Sequence, residues 1–181
     1  GVSHQSPQRD GEMRDYYTVA RIKDTLRQAE QLGINTFLGR ADRHITRTLL
    51  EYWNDGGTIQ WIAQTAPEYA SLTRSIEEAI NGGACAAYIH GGHMDNLAAH
   101  NERDQVAAAI AQIRKAGLPA GLAGHSPLVF QWAEDSVDAD FYMCAYYNPS
   151  SRVGHAEHAA GREEYFLPED RDAMVAHIQR L

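Results

Sequence analysis

The sequence predicts an α/β protein, a partial (β/α)8 TIM barrel of about five parallel strands with helices around them. Three observations carry this. Short apolar runs alternate with amphipathic helical stretches along most of the 181 residues, which implies right-handed βαβ crossovers and a parallel sheet. No glycine-rich phosphate fingerprint opens a helix, as a nucleotide-binding doubly wound sheet would require. Function-bearing residues recur at the end of every predicted strand, where a barrel gathers its catalytic groups.

In chain order, TVARIKDTLRQAEQLG (18–33) is an amphipathic helix closed by Gly33. A strand over 34–38 follows, then a helix over 43–53 in which Ile45, Leu49 and Tyr52 share a face. The strand at 58–64 leads to a helix over 71–81 that stops at Gly82-Gly83. The strand at 84–90 gives way to a polar turn, and RDQVAAAIAQIRKAG (103–117) is the next helix, its stripe made by Val106, Ile110 and Ile113. A strand at 120–124 precedes the helix PLVFQWAED (127–135). The strand at 140–146 opens a long loop before the last helix, over 168–181.

This makes six helices and five strands in a single domain, 1–181. A complete barrel has eight units, so the segment reads as the middle of one, lacking the first strand and the last two. Open parallel edges are costly. A homo-oligomer covering them is therefore an expected partner arrangement.

Composition narrows the function. The net charge of −8 with no basic cluster argues against nucleic acid. No apolar run reaches the length of a membrane span, and a small-molecule ligand is the expected partner. Cys85 and Cys144 both fall in predicted strands, which suits a reducing cytoplasm better than a disulfide framework.

The predicted mouth collects Arg40 and Asp42, Gln64, His90 with His93 and Asp95, His125 with Ser126, and Tyr147 with Asn148. The opposite strand ends are bland turns. His90, His125 and Tyr147 are the candidate catalytic groups, because imidazole and phenol trade protons or hydrogen bonds with a carbonyl near neutral pH. Arg40, Asp42, Gln64, Ser126, Asn148 and Arg152 are candidates for binding an oxygenated substrate. His90, His93 and Asp95 together have the ligand types of a divalent metal site, although a Gly-Gly between ligands sets no geometry.

Several short motifs resemble the aldo-keto reductases, a family of (β/α)8 barrels. QAEQLGINTF is similar to the entry into that family's second strand, YIH (88–90) to its fourth, AGHS (123–126) to its fifth and FYMCAYYNPSSR (141–152) to its sixth. The resemblance implies that His90 orients a carbonyl, that Ser126 holds a nicotinamide amide and that NADP is the cofactor. The motifs depart from the family where Leu38 replaces its aspartate, where the strand ending IAQTAP lacks its lysine, and at Cys144 and Pro127. Three functions stay open: a barrel enzyme of that ancestry acting on a sugar-like or carbonyl metabolite, a metal-dependent sugar isomerase or lyase, and a non-catalytic binding module.

Overall fold

The computed structural model describes residues 7–66, 69, 71–146 and 168–181. Helices α1 (Pro7–Tyr16) and α2 (Val19–Gln31) precede strand β1 (Thr36–Arg40). Then follow α3 (Arg43–Asn54), β2 (Gln60–Gln64), α4 (Leu72–Asn81), β3 (Ala86–Ile89), α5 (Gly91–Ala99) and α6 (Arg103–Lys115). The chain continues through β4 (Ala120–Gly124), α7 (Pro127–Glu134), β5 (Phe141–Cys144) and α8 (Pro168–Ile178). The five strands form one sheet in the order β1-β2-β3-β4-β5, every pair parallel. Sequential parallel strands with helical crossovers make a half-barrel, as the alternation predicts.

The strand limits differ from expectation by up to two residues, for local reasons. Gly33 takes a φ of 86°, and the Ile34 N–H returns to the Ala29 carbonyl at 3.0 Å. That closing turn of α2 consumes residues 34 and 35, so β1 begins at Thr36. At its other end β1 runs on to Arg40, and the next N–H, of Ala41, reaches the Gln64 carbonyl at 2.8 Å.

Two helices were not expected. The α1 sequence PQRDGEMRDY carries no apolar stripe, so periodicity could not reveal it. The α5 sequence GGHMDNLAA starts with two glycines, a pattern that reads as a turn by propensity alone.

Side chains alternate between the two faces of the sheet. In β2, Trp61 and Ala63 are fully buried toward the helices, while Gln60, Ile62 and Gln64 face the concave side and keep some exposure. The core lies in the outer layer, where Trp61, Ile89 and Leu122 pack with Leu49, Ile76 and Ile113 from the helices. Trp61 donates its indole N–H to the Gly39 carbonyl at 3.0 Å, so its polar atom is satisfied inside that core. The concave face is only half closed, with Leu38 40% exposed. Among the described residues nothing pairs with the outer edges of β1 and β5, and no helix is long and apolar enough to cross a membrane.

Candidate functional site

The site begins where β3 runs out. The His90 N–H donates to the hydroxyl of Thr65, at the end of β2, at 2.9 Å. This bond takes the backbone out of the strand, and the His90 carbonyl accepts the first helical hydrogen bond, from Met94, at 2.9 Å. The polar turn expected after Ile89 is therefore the first turn of α5, with His90 at its N-cap.

Starting a helix at residue 91 puts Gly91 and Asp95 one turn apart on the same face. That face meets the end of β4. The Asp95 carboxylate accepts from Nδ1 of His125 at 2.6 Å through one oxygen, and from the His125 backbone N–H at 3.1 Å through the other. A carboxylate only accepts, so the imidazole carries a proton on Nδ1. The two side chains are 18% and 19% exposed, enough for access and little enough to hold the geometry.

Gly91 explains the glycine that follows His90. A Cβ placed there would lie 2.8 Å from Cε1 and 3.3 Å from Nδ1 of the His125 ring. The helix comes this close to the imidazole because residue 91 has no side chain. Its role is a close approach to His125.

The remaining expected residues divide. Gln64 and Tyr88 are register partners on the concave face, and the Gln64 amide donates to the Tyr88 hydroxyl oxygen at 3.0 Å. Arg40, half-buried, lies opposite Gln64 on β1. Asp42 is instead the N-cap of α3, accepting from the Ile45 N–H at 2.9 Å, and Ser126 caps α7 by accepting from the Leu128 N–H at 3.3 Å. Their oxygens serve backbone donors that a helix start leaves unsatisfied. His93 is half-buried, and burial lowers its pKa. Tyr147, Asn148 and Arg152 lie outside the described residues.

Among the described residues no three His, Cys, Asp or Glu side chains converge as a cation site. His90, His93 and Asp95 do not form a ligand set, because Asp95 turns to His125 across the α5–β4 contact. Asp95 thus joins α5 to the end of β4.

Sequence reasoning missed Tyr88 and the role of Asp95. Strand parity signals the first, since Tyr88 is in register with Gln64 on the same face. The spacing of Met94 and Leu97, both buried, was the available sign of a helix carrying the second.

A cleft of about 1260 Å³ lies elsewhere. It follows β1 between Met13 of α1, Tyr17 just beyond that helix, Leu26 of α2 and Asp42, the N-cap of α3. Two of its acidic groups are already engaged: Asp10 pairs with Arg14 at 2.8 Å, and Asp42 caps α3. Its walls are mainly apolar and follow from the unpaired β1 edge. The acid–base groups are at the dyad.

The sequence matches no known protein family, and no curated protein matches it. Among solved structures, a candidate deoxyribose-phosphate aldolase from Coccidioides immitis superposes with a TM-score of 0.57 at 13% identity. The match covers 90% of this chain and 62% of that one, so this chain spans less than two thirds of that structure's length. An aldolase designated QR15 gives a TM-score of 0.55 at 12% identity, over 90% of this chain and 82% of its own. Identities this low establish the fold alone. The TIM-barrel expectation stands. These comparisons give the aldo-keto reductase resemblance no support beyond the shared barrel fold.

Proposed function

We propose that this half-barrel carries acid–base chemistry on a small carbonyl metabolite, with His125 as the general base and Asp95 orienting it. The observation that carries this reading is the double contact of one carboxylate with the ring and the backbone of one histidine. A base whose orientation is held by a third group is the recurrent arrangement for proton transfer. The strand end is where such a group works in a barrel.

The two structural neighbours are described as aldolases, which supports enolate chemistry as the reaction class. Aldol reactions and keto–enol isomerisations share one half-reaction, removal of a proton from the carbon next to a carbonyl. Amine catalysis of that step needs a lysine in the site. The chain has two lysines, Lys23 and Lys115. Lys23 is tied to Asp55 at 2.5 Å on the helical layer, and Lys115 ends α6. The reading favours direct abstraction by the His125 imidazole, with Asp95 holding its Nδ1: the C–H electron pair becomes the C=C bond, and the carbonyl π pair moves to oxygen. The imidazolium then returns the proton to carbon.

The test is exchange of α-protons for deuterium in D2O, followed by proton NMR with glycolaldehyde and dihydroxyacetone as probes. Wild type should exchange them faster than buffer. Asp95→Asn and His125→Gln should each lose at least 100-fold, the loss expected when a positioned general base is removed or misoriented. Equal rates for wild type and His125→Gln would reject the reading.

A further inference from the structure

The cleft along β1 has recognition features of its own, apart from the dyad. Its apolar wall is open: Met13, Tyr17 and Ile34 all line it and stay 37%, 50% and 52% exposed. Leu26 and Ala29 of α2 and Phe37 of β1 continue that wall. Large apolar side chains gathered around one space, rather than scattered singly, mark a place where an apolar body binds.

Most polar side chains in the cleft are already engaged. Asp10 pairs with Arg14 at 2.8 Å, and Asp42 caps α3 at 2.9 Å. The Thr25 hydroxyl donates to the Arg21 carbonyl, and that of Thr36 donates to the Asn35 side chain. Arg43 differs. It is the first residue of α3, lines the cleft, is exposed, and has no hydrogen bond or ion pair among the described residues. Tyr69 stands near it in the same lining: burial, then Glu78, raise the phenol's pKa, and the Arg43 charge pulls it down. A neutral phenol beside a guanidinium gives two donors at one end of the cleft.

That end is where β1 runs out, because Arg43 follows Arg40 by three residues. Ile34 and Ala29 lie at the other end, across a strand of five residues, or about 16 Å at the rise of a strand. The result is an apolar trough with an unpaired cation at one end, in a chain whose net charge is −8. Its complement is a molecule with one anionic head and an extended apolar body. A carboxylate head suits a guanidinium best, since the two can share a pair of parallel hydrogen bonds.

We propose that this cleft binds a medium-chain fatty acid, its carboxylate at Arg43 and its alkyl chain running between α2 and β1 toward Ile34. The site is separate from the dyad and asks nothing of His125.

The test is calorimetric titration of the whole chain with octanoate, decanoate and 1-decanol, with sedimentation velocity in parallel. Two further methylenes on the apolar wall should make decanoate bind on the order of tenfold tighter than octanoate. Arg43→Gln should weaken decanoate by about fivefold, the worth of an exposed ion pair at its upper end, and leave 1-decanol unchanged. Ile34 is exposed, so Ile34→Glu spares the core; it puts a carboxylate on the alkyl path and should abolish decanoate binding. No saturable binding of decanoate by wild type would overturn the proposal, as would equal affinities for octanoate and decanoate. Wild-type affinity for decanoate in either variant would overturn it as well. A wild-type dimer that Ile34→Glu splits into monomers would also overturn it, by assigning the apolar wall to a second copy of the chain.

Discussion

Replacing Gly91 by Ala adds one methyl group and leaves both members of the dyad in place. The new Cβ would stand 2.8 Å from Cε1 of His125, 3.3 Å from its Nδ1 and 3.6 Å from the Gly124 nitrogen. Carbon atoms pack best at about 3.5–4.0 Å, so the ring must withdraw by roughly 0.7 Å or more. The ring has little freedom to do so, because Asp95 grips both Nδ1 and the His125 backbone N–H. Retreat of that size stretches the 2.6 Å contact past the range of a strong charge-assisted bond, about 2.7–2.9 Å. Overpacking costs about 1–3 kcal/mol, and the helix preference of Ala over Gly returns up to about 1. A net loss of about 1 kcal/mol lowers the melting temperature by about 2–4 °C in a domain of this size. The catalytic effect should be far larger, since misplacing a reacting group by about 1 Å costs on the order of 100-fold. The assay is α-proton exchange, with NMR of the low-field Nδ1–H resonance reporting the dyad. Exchange within twofold of wild type and an unmoved resonance would refute the argument. Gly11→Ala is the control: it sits in α1 with nothing within 4 Å of its would-be Cβ, so it should stabilise by about 1 kcal/mol and leave exchange unchanged.

Ser126→Ala should cost about 1 kcal/mol by removing the cap of α7, seen in urea unfolding, and leave α-proton exchange unchanged; slower exchange would make Ser126 a substrate contact. His177 of α8 is 4% exposed, its Nε2 has no hydrogen-bond partner among the described residues, and its ring packs beside Phe130 of α7. Burial, then Arg180, lower its pKa, and Glu134 opposes them. The neutral ring therefore favours folding above the ordinary histidine value of about 6.5, and this contribution is lost as pH falls from there through the lowered folded value. His177→Leu should flatten the stability profile below about pH 6.5, read from urea midpoints at pH 5 and 7.5. An unchanged difference between those two midpoints would count against the account.

The fold was legible in the chain because its signals are local. Val106, Ile110 and Ile113 declare a helix face by spacing alone, and short apolar runs separated by such helices leave a parallel sheet as the economical solution. His90 and His125 could be assigned to one end of the sheet because each directly follows an apolar run. Their partners could not be read in the same way. Gly91-Gly92 looks like a turn because glycine lowers helix propensity, yet tertiary contact holds it in a helix, through the Thr65 bond to His90 at one end and packing of Met94 and Leu97 beneath. That helix turns Asp95 from a loop carboxylate into the partner of a histidine 30 residues away. The same limit applies to Asp42 and Ser126, whose hydroxyl or carboxylate looks equally suited to a ligand until the start of a helix claims it. Spacing along the chain determines which residues share an element and a face. Which of them touch depends on where each strand ends in space and on strand register, and those are set by contacts among distant segments.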